Sequence, residues 1–519
     1  MDFQNKIHLI IPFKDTLNES LMGIEKEGLR VSMDGAIAQT PHPIGLGSAL
    51  KNPAITTDFS EALLELVTQP LVGAEKVLDE LGLIHDFTYR HMPEDERFWP
   101  ASMPCVLRGK TNIPIASYGS SNIGMMKTVY RRGLSNRYGS VMQAIAGIHF
   151  NFSFSEKFFE SYKKLILPTE TDLKGFKDSQ YMGLTRNVLR YGWLIPYLFG
   201  SSASVCKSFM QDYHEHDLEE FDENTLYLPY ATSLRMGDIG YQNSQEDEKG
   251  VKASYNSLRH YVYALRAAMH TNCRDFEKIG LKKNGEYQQL NTNILQIANE
   301  YYSSVRPKPI LNGSNRPLKS LNDDGIGYIE IRSLDVNPLL EIGIDKEQVE
   351  FLEAFLLFCL LEDSPIISTA ELVEIDSNAL LVAHQGRRPG LKMGSFGQKI
   401  DLAEWGENIF KRIKQCAKLL SGPHQNSVEN ISARIQNPDL TPSAIILNQM
   451  QSQEKGFFEF TNQYSLDYKA KSLKKIFDKD HFNELNNLAI KSKKEQLEIE
   501  SSQTLNFDEY LKNYFLDDV

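Results

Sequence analysis

An α+β fold with an antiparallel sheet is predicted by two observations. Short stretches of strict alternation, near residues 24–31, 61–67, 147–154 and 327–333, read as strands with one apolar face. Longer segments with helical spacing, such as Gly73 to Tyr89, Ser254 to Thr271 and Lys346 to Leu361, lie between them without regular strand–helix alternation. That irregular order argues against a doubly wound parallel sheet and for antiparallel pairing. With 519 residues, 41% hydrophobic and 24% charged, the chain has the size and composition to bury a large core.

The first strand, Gly23 to Val31, carries Glu25 and Glu27 two positions apart, with Lys26 on the opposite face. Residues i and i+2 of a strand share a side, about 6.5 Å apart. Two carboxylates held that way repel each other unless cations sit between or beside them. The pair is therefore either a solvated strand face or part of a site whose ions lie roughly 3.5–4 Å apart or somewhat more. In Thr57 to Val67, Asp58 precedes a stretch bearing Glu61 and Glu65. From 147 to 154, His149, Asn151 and Ser153 share one face, while Ile148, Phe150, Phe152 and Phe154 share the other. In 328–333, Tyr328, Glu330 and Arg332 oppose Ile329 and Ile331.

Taken singly, His149 reads as a satisfied polar residue, and Glu330 with Arg332 as a surface ion pair worth little. Together, five or six carboxylates, one imidazole and one guanidinium on several strands differ from the Thr, Lys, Gln and Ser of a solvent face. Carboxylate oxygens are what Mg²⁺ prefers, and a neutral imidazole can complete a site. An arginine beside metal-bound carboxylates suits a phosphate oxygen. Metal plus arginine is equipment for stabilising charge in phosphoryl transfer.

Other classes are excluded. No Gly-x-x-x-x-Gly-Lys-Ser/Thr occurs, so the nucleotide site is not a P-loop; the 386–391 turn, Gly-Arg-Arg-Pro-Gly-Leu, is a weak phosphate candidate or simply a loop. A net charge of −12 without a basic stripe argues against nucleic acid. No run reaches the roughly 18 apolar residues of a membrane span, and Phe351 to Leu361 suits a buried helix. No secretory signal is evident at the N-terminus. Five scattered cysteines without Cys-x-x-Cys argue against a zinc site or disulfide framework and for a reducing, cytoplasmic compartment. After about residue 400 the chain turns rich in Lys, Glu, Leu and Asn, in Glu404 to Leu420, Pro442 to Gln453 and Ser465 to Ser502. We expect a catalytic domain over 1–400 and a helical C-terminal region over 401–519, packed on the core because Phe457, Phe458, Phe460, Tyr464 and Tyr468 need burial.

These residues also carry a resemblance. The segments Thr-Thr-Asp-Phe-Ser-Glu-Ala-Leu-Leu-Glu (56–65), Phe-Trp-Pro-Ala-Ser-Met-Pro-Cys (98–105) and Asn-Arg-Tyr-Gly-Ser-Val-Met-Gln (136–143) come first. Gly-Ile-His-Phe-Asn-Phe-Ser (147–153), Tyr-Gly-Trp-Leu-Ile-Pro-Tyr-Leu-Phe-Gly (191–200) and Leu-Pro-Tyr-Ala-Thr-Ser-Leu-Arg-Met-Gly-Asp-Ile-Gly-Tyr (228–241) follow. Tyr-Ile-Glu-Ile-Arg-Ser-Leu-Asp-Val-Asn-Pro (328–338) completes a series that resembles the bacterial glutamate–cysteine ligases, related in fold to glutamine synthetase, across about residues 20–395.

The resemblance implies a funnel lined by a curved antiparallel sheet and surrounded by helices, with ATP entering at one end and L-glutamate and L-cysteine at the other. It implies Mg²⁺, two or three ions with Mn²⁺ as a substitute, held by Glu25, Glu27, Asp58, Glu65, His149 and Glu330. Glu27 and Glu65 would share one ion; Glu25, His149 and Glu330 would hold another at the ATP phosphates. Arg332, Glu27 and Glu330 would be catalytic, with Arg332 on the transferring phosphoryl group. Tyr130, Arg235, Tyr241 and Tyr302 would surround the amino acids, with Phe59 and Ile145 as apolar wall. Glutathione is the expected feedback inhibitor, and a monomer the expected state. Ala298 departs from relatives that commonly carry Glu there. The rival readings are a carboxylate–amine ligase with another acceptor, an inactive metal-binding protein, and a helical scaffold built on the C-terminal segment.

Overall fold

The computed structural model describes residues 2–109, 112–167, 169, 172–213, 216–240, 252–311 and 316–516. Its centre is an open, seven-stranded, entirely antiparallel sheet. The strands are β1 (Leu21–Ser32), β2 (Ile55–Thr57), β3 (Leu63–Val67), β4 (Glu96–Trp99), β5 (Ile148–Ser153), β6 (Val305–Lys308) and β7 (Tyr328–Leu334). Their order is β6-β7-β5-β1-β3-β2, with β4 also paired to β1. All four strand stretches expected from alternation are present.

The 12-residue β1 is the spine, pairing with β5, β3 and β4 along its length. Gly28 lets the ring of Phe98 on β4 press against it; a Cβ there would lie 2.6 Å from the ring. On β7 the register against β5 shifts between Ile331 and Leu334. Such an irregularity re-aims a side chain at the end of a ladder, and Arg332 sits within it.

Helices cover the apolar side. Helix α1 (Ala74–His91) packs against β1 and β3, and α2 (Asn122–Tyr138) is capped by Ser121, whose hydroxyl accepts from the Gly124 amide at 3.2 Å. Helix α3 (Lys346–Leu361), started by the Asp345 side chain, is buried from Gln348 to its end. A helix apolar all round belongs inside a core, and each such Leu or Phe contributes about 1.5–3 kcal/mol.

Beyond residue 400 lie α4 (Leu402–Ala417) and α5 (His424–Gln436), which pack on α3, and α6 (Phe457–Lys474), which packs on β4 and α1. Phe457, Phe460 and Tyr468 are buried; Phe458 and Tyr464 are half-buried. The Ser465–Ser502 stretch is not one helix. It ends α6, breaks at residues 475–478, and continues as α7 (Lys479–Ser502), followed by α8 (Phe507–Leu516).

Two further outcomes bear on the sequence reading. Cys105 and Cys206 are joined in a disulfide, Cα atoms 5.5 Å apart across 101 residues. This overturns the expectation of no disulfide and removes the cysteine-based argument for a reducing compartment. Cys273, Cys359 and Cys416 are free and buried. Among the described residues, no helix is long and apolar enough to cross a membrane.

Candidate active site

One face of the sheet gathers the polar residues. Glu25 on β1 stands opposite His149 on β5, and Glu27 opposite Glu65 on β3. Glu330 on β7 pairs in register with Asn151 on β5 and, across its other edge, with Arg306 on β6. The period-2 alternation of each strand thus stacks donors from four neighbouring strands into one patch.

At its centre, His149 Nδ1 lies 3.2 Å from Glu25 Oε2, and the Asn151 amide donates to Glu25 Oε1 at 2.8 Å. His149 Nε2 is 3.8 Å from Glu27 Oε1, while Nδ1 is 4.0 Å from Glu330 Oε1 and 3.4 Å from Arg332 Nη1. Glu27 Oε2 accepts from the Gly147 amide at 2.5 Å. Glu330 has one cation on each oxygen, Arg332 Nη1 at 3.1 Å and Lys308 Nζ at 3.2 Å. Glu25, Glu65 and His149 each offer a ligand atom, all within 4.8 Å of one another.

The charges in this patch are unevenly neutralised. For Glu330, burial is outweighed by Lys308 and then Arg332, so its carboxyl lies well below the usual range. For Glu25, burial is likewise overcome, chiefly by the His149 hydrogen bond. The other two carboxylates go the opposite way. Burial and the nearby Asp58 charge push Glu27 up to about 8. Burial, with Glu25, Asp58 and Glu27 around it, raises Glu65 well above the ordinary value. His149 is pushed down by burial and by Arg332, which favours the neutral imidazole that can ligate a metal. A carboxylate set short of positive charge, beside a neutral imidazole and the partnerless buried Asn151 Oδ1, has the donor chemistry a divalent cation takes.

The residues assigned to the amino-acid end are placed as follows. Arg235 is buried; its Nη2 donates to the Arg332 carbonyl at 2.8 Å, and its Nη1 is 3.7 Å from Asp335. Its guanidinium lies over Gly147, where a Cβ would come within 2.1 Å of Nη2, so only glycine admits this approach. Asp58 occupies the turn between β2 and β3, its carbonyl accepting from Arg131. Tyr130 and Tyr302 are half-buried, on α2 and just before β6. Phe59 and Ile145 are buried in the apolar core. Tyr241 lies outside the described residues.

Several participants escaped the sequence reading. Lys308 and Arg306 sit on β6, whose Val-Arg-Pro-Lys sequence does not read as a strand because Pro307 cannot donate to a ladder. Its position at the sheet edge makes the proline admissible. Asn151 was visible on the His149 face, but nothing marked it as the partner of Glu25. Glu61 belongs elsewhere; its carboxylate accepts from the His42 and Ser117 amides, each at 2.9 Å. The 386–391 turn is structural: Arg387 donates to the carbonyls of Ala231 and Pro229, at 3.1 and 2.6 Å.

An open antiparallel sheet whose polar face combines carboxylates, one imidazole and an arginine–glutamate pair has the donor chemistry of an enzyme that binds divalent cations beside an anionic substrate. The comparisons make this particular. The family model for glutamate–cysteine ligase matches residues 11–382. A glutamate–cysteine ligase of Pseudomonas entomophila is 44% identical over 505 residues, covering 96% of this chain and 94% of its own. That of Pseudomonas putida is also 44% identical, covering 96% and 95%. The crystal structure of a glutamate–cysteine ligase from Francisella tularensis in complex with AMP superposes with a TM-score of 0.90 at 34% identity, covering 96% of this chain and 98% of that one. This chain belongs to the glutamate–cysteine ligase family.

Proposed function

We propose that the protein joins the γ-carboxylate of L-glutamate to the amine of L-cysteine, consuming ATP and giving γ-glutamylcysteine, ADP and phosphate, the first step of glutathione biosynthesis. The observation that carries this reading is the convergence of Glu25, Glu65 and His149, beside the Arg332–Glu330 pair, in a chain of this family.

Glu25, Glu27, Glu65, His149 and Glu330, with Asp58 at the rim, would hold Mg²⁺. The strand register favours two sets, Glu27 with Glu65 and Glu25 with His149. Bound there, the cations would neutralise the phosphate oxygens of ATP. The chain's own groups do the positioning. Arg332, anchored by Glu330 on one side with its Nε buried and unpartnered, presents donors to the phosphoryl group in transfer. Arg235, held by the Arg332 carbonyl, ties the amino-acid end to the phosphate end. The glutamate γ-carboxylate attacks the γ-phosphorus of ATP and displaces ADP, and the cysteine amine then attacks the acyl phosphate so formed, losing a proton and displacing phosphate. Tyr130 and Tyr302 would flank the amino acids, in a site that shields the acyl phosphate from water. Glutathione, which contains the same γ-glutamylcysteine unit, would compete at that end. A reaction that consumes ATP would run in the cytoplasm, where ATP is made.

Removing the Arg332 guanidinium takes away donors aimed at developing charge. Arg332→Met should lower kcat on the order of 10²–10³-fold, with less effect on the KM for cysteine. Steady-state kinetics read by ADP release check it; a kcat near that of the parent would exclude Arg332 from the phosphoryl site. The acceptor is tested by phosphate release with cysteine against a panel of other amines. Cysteine should be preferred by kcat/KM, and a wide margin for another amine would refute the assignment of the second substrate.

A further inference from the structure

A small apolar core, separate from the main one, lies directly behind Tyr130. Met126 and Val129 of α2, Leu290 of the loop after Tyr287, and Leu511 of α8 form it; all four are buried, and the half-buried Tyr130 packs against the cluster. The region matched by the family model, residues 11–382, stops well before α8.

Polar contacts fix this helix at both ends. At the start of α2, the Asn122 amide donates to Gln503 Oε1 at 2.9 Å and its side chain to the Leu505 carbonyl at 2.8 Å. In the first turn of α8, Asp508 accepts from Lys282 at 2.9 Å and from the Tyr287 hydroxyl at 2.7 Å. In its last turn, the Tyr514 carbonyl accepts from Arg316, whose guanidinium stacks 4.1 Å from the Tyr514 ring centroid. Helix α8 and the residues just before it therefore tie α2 to the 282–287 segment and to Arg316. The exposed ion pair with Asp508 gives little stability on its own, but several such ties together set where the Leu511 side chain stands.

We propose that α8 is a positioning brace for the amino-acid end of the site, acting through Leu511 on Tyr130. This rests on the reading of Tyr130 as a wall of that end. The described polar contacts of α8 run to the 282–287 segment and Arg316, and those of the residues just before it to α2, not to Glu25, His149, Glu330 or Arg332, so its effect should fall on amino-acid affinity and spare ATP. A purely structural helix would behave otherwise: its loss would reduce the active fraction, lowering kcat for all substrates with KM values unchanged.

The test uses the full chain, with Leu511→Ala, Leu511→Met, Asp508→Asn, Tyr130→Leu and the double variant Tyr130→Leu/Leu511→Ala. Leu511→Ala should raise the KM for glutamate or cysteine about tenfold, since small misplacements at a reacting site are amplified, while the KM for ATP stays at the parent value. Leu511→Met should restore most of the affinity. Asp508→Asn, which loses only exposed contacts, should shift the same KM by up to about threefold. The double variant should be no worse than Tyr130→Leu, because residues acting through one another are not additive. If Tyr130→Leu raises the amino-acid KM but Leu511→Ala and Asp508→Asn do not, the brace is refuted and the reading of Tyr130 stands. If Tyr130→Leu leaves that KM unchanged, both fall. Equal movement of all three KM values, or a fall in kcat alone, also overturns the proposal.

Discussion

Glu27→Gln should abolish the release of phosphate that depends on ATP, glutamate and cysteine, while leaving the fold nearly intact. The loss should be at least about 10³-fold, because a Lewis-acid cation at a phosphoryl oxygen contributes several kcal/mol of transition-state stabilisation and each 1.36 kcal/mol is tenfold in rate. The fold survives for two local reasons. The amide oxygen of glutamine can still accept from the Gly147 N–H. Burial and the nearby Asp58 charge also hold the Glu27 carboxyl above its usual range in the cation-free protein, so a neutral amide there removes repulsion rather than a stabilising charge. Turnover in the variant close to that of the parent would remove Glu27 from the site. Thermal unfolding well below the parent would instead give it a structural role.

Arg30→Met should have the largest effect on stability, about 3–5 kcal/mol in urea unfolding, because it leaves a buried carboxylate without its counter-ion. Arg30 is 0% exposed. Its guanidinium pairs with Glu96 and donates to Thr40 Oγ1, to the carbonyls of Thr40 and Pro41, and to that of Glu61, at 2.7, 2.8, 3.1 and 3.0 Å. That single side chain ties β1 and β4 to the 40–41 loop and to the turn that precedes β3. Adding Glu96→Gln to Arg30→Met should recover part of the loss, since it removes the orphaned charge. A change below about 1 kcal/mol, the range of a surface pair, would show that the cluster is not buried in solution.

The face of each strand was legible, and so was most of the site. Alternation put Glu25 with Glu27, His149 with Asn151 and Glu330 with Arg332, because a two-residue period ties side-chain direction to position alone. Which strands become neighbours was not legible. The pairing of Glu25 with His149 and of Glu27 with Glu65 depends on strand order, which alternation does not encode. Lys308 stayed hidden because Pro307 speaks against a strand until the edge position is known. The Cys105–Cys206 bond joins residues 101 apart, and spacing alone does not specify such a pair. Tyr130 lies on a helix where a tyrosine reads as core, and in part it is core, being packed against the small cluster under α8.

The strand order also governs how the enzyme is made. Strand β1 is translated first among the sheet strands, yet its neighbour β5 begins at residue 148 and β7, which brings Glu330, begins at residue 328. At about 5–20 residues per second, a ribosome takes on the order of 15–60 s to travel from Glu25 to Glu330. Until β5 has emerged, the longest strand of the sheet lacks its partner on that edge, and β5 then waits in turn for β7; an apolar edge left open invites pairing with another nascent chain. The same two carboxylates that serve the finished site lie on this waiting strand, and charge is what discourages such pairing. Ligase activity should therefore emerge only after β7 has left the exit tunnel, late in synthesis.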